Sequence, residues 1–250
     1  MITFKDKIVF ITGGSRGIGA ACVRLFHQAG AKVIFSFKEN KNAADALVNS
    51  FATNLPFALQ IDFNSENDIV KKVVFILTHF GRIDILVNNA GVWKYGEADK
   101  ISLEDWNATI QINLTSTFLV TKEVLPSMKK NKFGRIINIS STAGQRGEPF
   151  YSHYAASKGG IISYTKSLAS ELGKFNINTN CVAPGWVDTE MVSSVFSDEA
   201  YKEKERKAIP VQRIATAEDI AGPVLFLASD LARHINGEIL NVNGGSILCG

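Results

Sequence analysis

The chain has few cysteines, and they lie far apart in the sequence. The 250 residues include three cysteines, Cys22, Cys181 and Cys249. Three distant thiols fit neither the paired set of a disulfide framework nor a CxxC metal site. We therefore expect no disulfide and no metal centre, and a reducing cytoplasm as the compartment.

Long apolar runs and a strong charge of one sign are also missing. No segment approaches the roughly 18 apolar residues that a membrane span requires, and the amino-terminal MITFKDKIVFITGG lacks the uninterrupted apolar region of a signal peptide. The net charge is only +3, and the Lys and Arg residues are scattered rather than gathered into a stripe. The sequence predicts a cytoplasmic protein that neither enters a membrane nor binds nucleic acid.

Apolar runs of strand length alternate with longer stretches of helical spacing. The runs lie at 7–12, 31–37, 56–62, 83–89, 134–140, 177–184 and 238–245, and the helical stretches at 17–29, 41–53, 65–80, 103–130, 152–173 and 217–229. Runs that are apolar on both faces, alternating with helices, indicate a parallel sheet covered on both sides. The sequence predicts a single α/β domain over 1–250, a Rossmann-type doubly wound sheet of about seven strands with helices on both faces.

One segment, residues 186–215, interrupts this alternation. It inserts a charged helical stretch, DEAYKEKERK, between two core elements. Taken alone, this stretch is typical of a solvated helix face. Because open α/β sheets bind ligands beyond the carboxyl ends of their strands, and the segment follows such an end, we predict that residues 186–215 form a substrate lid.

The first predicted strand runs directly into a glycine-rich turn, TGGSRGIG, from Thr12 to Gly19. Glycines permit a tight turn and let the backbone approach a pyrophosphate, while the N–H groups that open the following helix face the anion. A glycine pattern alone is weak, but this one stands between a strand and a helix at the start of an α/β chain. The sequence predicts a nucleotide site at this turn.

The end of the second strand indicates which nucleotide binds. An NAD site usually has an acid there for the ribose 2′-hydroxyl, whereas this chain has Ser36, Phe37 and Lys38. Lys38 and Arg16 of the glycine turn could together neutralise a 2′-phosphate. NADP(H) is therefore the predicted cofactor. Glu39 keeps NAD(H) as the alternative, because a shift of one or two residues would place an acid near the ribose.

The stretch YSHYAASK contains the candidate reactive group. Tyr154 and Lys158 are four residues apart and share a helix face, whereas Tyr151 is seven residues from Lys158. A free tyrosine has a pKa near 10, too high for easy proton exchange at neutral pH, and a neighbouring cation lowers it by favouring the tyrosinate. We predict that Tyr154 transfers a proton with Lys158 beside it, and that an oxidised nicotinamide adds to the same field.

Six landmarks follow one another along the chain. They are TGxxxGxG at Thr12, Gly13, Gly17 and Gly19, NNAG at 88–91, Asn113 in a helical stretch, Ser141 after a strand, YxxxK as Tyr154 and Lys158, and APG at 183–185. With these landmarks the chain resembles the short-chain dehydrogenase/reductase family, and within it the 3-oxoacyl-acyl-carrier-protein reductases. The resemblance implies a seven-stranded parallel sheet, a homotetramer, and hydride transfer between a nicotinamide and a carbonyl or alcohol.

The resemblance also implies a set of cofactor contacts. Asp62 and Phe63 flank the adenine, the turn at 89–91 supports the adjoining ribose, and Val187 and Thr189 receive the nicotinamide carboxamide. The full set is Gly13, Ser15, Arg16, Gly17, Ile18, Gly19, Lys38, Asp62, Phe63, Asn89, Ala90, Gly91, Tyr154, Lys158, Pro184, Gly185, Val187 and Thr189. Asn88 is interpreted as structural support.

Two further residues complete the implied catalytic set of Asn113, Ser141, Tyr154 and Lys158. A hydroxyl just past a strand can hydrogen-bond the substrate oxygen, and the family selects Ser141, thirteen residues before Tyr154, over the neighbouring Ser140. Asn113 is equally well explained as a satisfied core amide. The family makes it part of a water-linked proton path to Lys158.

The implied reaction is NADPH-dependent reduction of a ketone to a secondary alcohol, with a 3-oxoacyl thioester on acyl-carrier protein as substrate. The carrier is acidic, so basic residues should flank the pocket mouth. The segment MKKNKFGR offers such a patch with Lys129, Lys130, Lys132 and Arg135. Lysines at a helix carboxyl end are explained equally well by the helix dipole. The second docking arginine of those reductases is replaced, around Lys174 and Phe175, which weakens the assignment.

Two alternative functions stay open. One is an oxidoreductase for another small carbonyl or alcohol, such as a sugar, a diketone or a polyol, with Trp93, Tyr95, Gln145, Tyr151 and Trp186 as pocket walls. The other is an NADP-binding regulator without turnover, which predicts a broken Ser/Tyr/Lys set. All three residues are present, and fold alone does not decide the substrate.

Overall fold

The computed structural model describes residues 2–248 and contains one seven-stranded sheet. The strands are β1 Ile8–Ile11, β2 Lys32–Phe37, β3 Phe57–Gln60, β4 Ile85–Asn88, β5 Gly134–Ile139, β6 Ile177–Pro184 and β7 Ile239–Val242. All pairings are parallel, in the order β3-β2-β1-β4-β5-β6-β7. The order reverses between β1 and β4, which opens a crevice at the carboxyl edge of the sheet. Cys249 of the cysteine prediction lies outside the described residues.

Helices cover both faces of the sheet. They are α1 Gly17–Gln28, α2 Lys41–Asn49, α3 Glu66–Phe80, α4 Leu103–Ile110, α5 Ser116–Asn131, α6 Ala143–Arg146, α7 Ser152–Leu172, α8 Ser193–Phe196, α9 Glu199–Ala208 and α10 Ala217–Ala228. Buried residues of α1, α2 and α10 form one apolar cluster on the sheet, and those of α3, α5 and α7 form another. Successive residues of β1 divide between them, Val9 in the first and Phe10 in the second. The predicted doubly wound fold is confirmed.

The stretch predicted as one helix at 103–130 is interrupted. A π-helical turn, Gln111–Thr115, joins α4 to α5 and contains Asn113. Next to it, the Ser116 hydroxyl donates to the Ile112 carbonyl at 2.6 Å and the Thr117 hydroxyl to the Asn113 carbonyl at 3.2 Å. Such hydroxyl groups compete with the helix ladder, and π turns are frequent at functional sites.

The segment 186–215 contains two helices, α8 and α9, rather than one. The Asp198 side chain caps α9 by accepting from the Ala200 and Tyr201 N–H groups. On the exposed side of α9, Glu203 pairs with Arg206 and Lys207. No helix in the part of the chain from 2 to 248 is long and apolar enough to cross a membrane.

Candidate active site

Two adjoining cavities lie at the carboxyl edge of the sheet. The first, of about 320 Å³, is bounded by the glycine turn after β1 and by the ends of β2 and β3. The second, of about 460 Å³, is bounded by the residues after β5 and β6, by α7 and by the 186–215 segment. The residues that line both are Ile18, Asn89, Gly91, Thr189 and Met191. A single elongated ligand can therefore extend from one cavity into the other.

The glycine turn presents an uncapped helix start to the first cavity. Gly13 and Gly17 have φ angles of +66° and +51°, which glycine adopts without strain. Among the described residues, no side chain caps α1, and its first turn has no acid. The neighbouring helices differ: α2, α3 and α4 are capped by the side chains of Asn40, Ser65 and Ser102. The free N–H groups of α1 fit an anion such as a pyrophosphate.

Gly19 is the one predicted cofactor contact that lines neither cavity. A Cβ on Gly19 would lie 2.2 Å from the Gly13 carbonyl oxygen. Gly19 therefore serves the close packing of α1 against its own loop, and its direct contact with the cofactor stays a prediction.

Thr12 and Asn89 hold the turn after β1 against the turn after β4. The Thr12 hydroxyl accepts from the Asn89 and Ala90 N–H groups at 2.9 and 3.0 Å. The Asn89 amide donates to the carbonyls of Thr12 and Gly13, both at 3.0 Å. Asn88 faces the core instead and donates to Thr121 and Asn138, which fits its interpretation as structural support.

Lys38 and Arg16 both line the first cavity and both are exposed. The Lys38 ammonium lies 3.2 Å from the Glu39 carboxylate. Asp62 and Phe63 line the same end. This end therefore combines two exposed cations with an aromatic ring and the carboxylates of Glu39 and Asp62. The cations fit a 2′-phosphate.

The second cavity brings Ser141, Tyr154 and Lys158 together. Lys158 is 5% exposed, its Nζ lies 5.7 Å from the centre of the Tyr154 ring, and it donates to the Ile139 carbonyl at 2.8 Å. The Ser141 hydroxyl accepts from the Ala143 N–H at 3.1 Å and also bonds the Tyr154 side chain. The three side chains come from the end of β5 and from one face of α7.

Burial sets the pKa values of this pair. It raises the pKa of Tyr154 to about 12, against the opposing effect of the Ser141 hydrogen bond. It lowers the pKa of the Lys158 ammonium to about 8. The sequence predicted that Lys158 would lower the Tyr154 pKa, but here the lysine bonds the main chain and desolvation dominates. Tyr154 is therefore protonated at neutral pH, ready to act as an acid.

Asn113 lines neither cavity and is fully bonded inside the protein. Its Oδ1 accepts from the Val92 N–H at 2.8 Å, and its Nδ2 donates to the Val92 carbonyl at 3.0 Å and to the Ser157 hydroxyl at 3.1 Å. It thus fixes the loop that follows β4 against α7. The structure supports a positioning role, and the water-linked proton path stays a prediction.

Aromatic side chains form one wall of the second cavity. Trp93 stacks on Tyr151 with ring centres 4.2 Å apart and meets Trp186 edge-on at 5.8 Å. Trp93 and Trp186 line the cavity, whereas Tyr151 supports Trp93 from behind. Tyr95 and Gln145 of the predicted wall do not line it, and the Gln145 amide donates to Asn241 instead.

Sequence reasoning missed three charged residues of the second cavity, Arg146, Glu148 and Glu205. Arg146 ends α6 and Glu148 lies in the loop before α7, both between Ser141 and Tyr154, so their position in the chain was a usable signal. Glu205 belongs to the stretch interpreted as a solvated helix face. No sequence signal marks it, because its partner Trp186 lies in another part of the chain.

The basic segment that ends α5 does not flank the pocket of its own chain. Arg135 is 3% exposed and donates to the carbonyls of Gly134 and Asn176. Lys129 lies 3.7 Å from Glu171. The segment is at the amino end of β5, whereas Ser141 follows its carboxyl end. The prediction of a docking patch beside the pocket mouth, with Arg135 in it, is wrong for the isolated chain.

Comparison with known proteins decides the family. A family model described as enoyl-(acyl carrier protein) reductase matches residues 13–246. The chain belongs to the short-chain dehydrogenase/reductase family. Within this family it is 39% identical over 243 residues to the 3-oxoacyl-acyl-carrier-protein reductase FabG of Chlamydia muridarum, covering 96% of this chain and 97% of that one.

Two further short-chain dehydrogenase/reductase relatives agree. FabG of Aquifex aeolicus is 40% identical over 247 residues, 98% of each chain. A crystal structure from Beutenbergia cavernae, of a proposed NAD(P)-dependent gluconate 5-dehydrogenase with NADP bound at low occupancy, matches with a TM-score of 0.92. It is 30% identical and covers 98% of both chains. The resemblance seen in the sequence is confirmed.

Proposed function

We propose that this protein is an NADPH-dependent oxidoreductase that reduces a 3-oxoacyl thioester carried by acyl-carrier protein to the 3-hydroxyacyl thioester. The observation that carries the proposal is the convergence of Ser141, Tyr154 and Lys158 on one cavity that joins the cavity of the glycine turn. The names of the FabG relatives support the substrate, and the bound NADP of the Beutenbergia cavernae structure supports the cofactor.

The residues of the first cavity fit NADPH. The uncapped start of α1 would hold the pyrophosphate, Arg16 and Lys38 the 2′-phosphate, and Asp62 and Phe63 the adenine. Val187 and Thr189 would receive the carboxamide at the junction of the two cavities. When bound, the reduced nicotinamide supplies the hydride.

The chain's own residues handle the proton and the developing charge. The Tyr154 phenol, protonated at neutral pH, donates its proton to the ketone oxygen as that oxygen gains negative charge. The Ser141 hydroxyl donates a hydrogen bond to the same oxygen. The Lys158 ammonium favours the tyrosinate left behind and would also hold the nicotinamide ribose. Asn113 fixes α7 against the loop that follows β4.

We expect Lys38→Asp to lower kcat/KM for NADPH by about ten- to a hundredfold while leaving kcat/KM for NADH unchanged or higher, since a charge-assisted hydrogen bond contributes about 1.5–3 kcal/mol. Steady-state kinetics with both coenzymes measures the ratio. Lys41→Asp is the matched control, because it makes the same charge change three residues away on a lysine that pairs with Asp45 and lines neither cavity. An equal effect of both substitutions would show that Lys38 does not contact the phosphate.

The substrate is tested by following nicotinamide absorbance with NADPH. The panel comprises an acetoacetyl thioester on acyl-carrier protein, the same acyl group on a small thiol, and ketones without a thioester. We expect turnover of the carrier thioester, with a kcat/KM above that of the small thioester if the carrier docks. Turnover of the ketones without a thioester, with no turnover of either thioester, would show that the substrate is not a 3-oxoacyl thioester.

The assembly and the location are proposed with the function. Leu103, Trp106 and Phe118 on α4 and α5 are exposed apolar residues, Leu103 to 74%. They give a surface that a second copy would cover, which supports the homotetramer expected of the family. Light scattering after size exclusion would measure its mass. We also propose a cytoplasmic location, with no nucleic acid or membrane partner.

A further inference from the structure

The far wall of the second cavity is charged. Arg146 comes from the end of α6, Glu148 from the loop before α7, and Glu205 from α9 of the 186–215 segment. They stand in the same cavity as Ser141 and Tyr154. A ketone bound in this cavity therefore shares it with these charges and with the aromatic wall.

The Glu148 carboxylate is held in place by Arg146 and can still accept further hydrogen bonds. Its side chain is 19% exposed and its Oε2 accepts from the Arg146 guanidinium at 2.6 Å. An ionised carboxylate has about four acceptor positions. Burial and the nearby Glu205 raise the pKa of Glu148, while Arg146 opposes them. The two carboxylates are thus close enough to influence each other.

Glu205 is fixed by two aromatic donors. The Trp186 indole N–H donates to Glu205 Oε2 at 2.8 Å, and the Tyr201 hydroxyl also bonds this carboxylate. Trp186 is itself wedged between Trp93 and Phe196. The carboxylate is therefore positioned before any substrate enters, which reduces the entropy lost on binding.

The chemistry of this wall favours hydroxyl groups over alkyl groups. Two carboxylates and one guanidinium leave one net negative charge. An alkyl chain laid on the wall would remove water from the carboxylates without replacing its hydrogen bonds, which is unfavourable. A hydroxyl group replaces those bonds directly. A substrate carboxylate or phosphate placed against this wall would face Glu148 and Glu205 and be disfavoured there, although Lys158 balances the charge of the cavity as a whole.

We propose that Glu148 and Glu205 determine the substrate specificity of this pocket by accepting hydrogen bonds from a short, hydroxyl-bearing ketone and by excluding long alkyl chains. The inference rests on the proposed NADPH-dependent ketone reduction. For a thioester substrate, the inference predicts that the pocket accepts only a short acyl group. For ketones without a thioester it selects polyhydroxy compounds.

The test compares matched substrates in wild type and in Glu148→Leu/Glu205→Leu. Two ketones share a four-carbon skeleton, 1,3,4-trihydroxybutan-2-one and butan-2-one, and two thioesters of one small thiol carry 3-oxobutanoyl and 3-oxooctanoyl groups. With NADPH, we expect wild type to prefer the trihydroxy ketone and the shorter thioester. We expect the double variant to lose about tenfold or more of the preference for the trihydroxy ketone and to gain kcat/KM on the 3-oxooctanoyl thioester.

Controls separate the specificity effect from damage to the fold. Glu203→Gln on the same helix faces Arg206 and Lys207 and lines neither cavity, so its preferences should equal those of wild type. If the leucine variant does not fold, Glu148→Gln/Glu205→Gln keeps the side-chain size. It should shift both kcat/KM ratios, between the two ketones and between the two thioesters, in the direction expected of the leucine variant. NADPH binding, followed by fluorescence, should be unchanged in each variant.

The outcomes distinguish this inference from the proposed function. Ketone reduction with the same substrate ratios in wild type and in the folded double variants would overturn the inference and leave the reductase assignment standing. Reduction of the trihydroxy ketone with none of a carrier thioester would overturn the carrier substrate and support the inference. A wild-type protein that reduces no ketone would overturn both.

Discussion

Tyr154→Phe will lower kcat for ketone reduction by about 10²- to 10⁴-fold, the usual contribution of a general acid, and will leave NADPH binding nearly unchanged. The substitution removes one hydroxyl and keeps the ring. In the structure this hydroxyl bonds Ser141 inside the second cavity, and burial keeps it protonated with a pKa of about 12. Its proton is the one that the ketone oxygen needs, and no other phenol lines this cavity among residues 2–248.

Tyr151→Phe is the matched control for that prediction. It removes the same hydroxyl from a ring that stacks on Trp93 but does not line the cavity. Stacking depends on the ring, so most of the activity should be retained. Steady-state kinetics and a fluorescence titration with NADPH on both variants measure the two effects. Equal losses of kcat in both would mean that Tyr154 is not the acid.

The fold could be predicted from the sequence because its signals are local. Each strand was predicted as a short apolar run, and helical stretches separate these runs along the chain, so the order of elements is readable without any tertiary contact. The glycine turn is equally local, since the strand, the turn and the helix are consecutive from Ile8 to Gln28. Spacing also placed Tyr154 and Lys158 on one helix face.

The remainder of the site depends on contacts between distant parts of the chain. Glu205 lies in a run of charges whose composition indicates solvent, and only its bond to Trp186 places it in the pocket. The π turn around Asn113 likewise accompanies side-chain bonds to Val92 and Ser157, on two other segments. Such pairings have no periodic signal that a single sequence could show.

The directions of the pKa shifts were the least predictable property of the site. A lysine one helical turn from a tyrosine suggests a lowered phenol pKa, because the pair interaction is the only effect visible in the sequence. Burial acts on each group separately: it raises the pKa of Tyr154 and lowers the pKa of Lys158. The direction of the shift therefore depends on the depth of the cavity, which the whole fold determines.

Lys158→Met will weaken NADPH binding by about ten- to a hundredfold, the value of a hydrogen bond from a charged group, and will also lower kcat. The ammonium is buried, so its charge is poorly screened by water and acts strongly on the ribose and on the tyrosinate. Methionine has a similar length and no charge. Lys166→Met, on an exposed turn of the same helix α7, is the control and should bind NADPH like wild type.

The pH dependence tests the same residue independently of turnover. Since the pKa of Lys158 falls from the ordinary 10.5 to about 8, the ammonium is present below pH 8 and lost above it. Wild-type NADPH affinity should therefore fall between pH 7 and 9.5, whereas Lys158→Met should bind weakly at both values. Above pH 8 the unfolded chain keeps the Lys158 proton that the folded chain has released, so the contribution of this residue to the free energy of unfolding rises with pH. Burial raises the pKa of Cys22 and Cys181 to about 12, and these thiols, which ionise first in the unfolded chain, oppose that rise in every variant. Chemical denaturation at pH 8 and 9.5 should therefore show a more positive change in the free energy of unfolding in wild type and in Lys166→Met than in Lys158→Met. An identical pH dependence in the Lys158 variant would assign the titration to another group, and the role of the ammonium would then have to be abandoned.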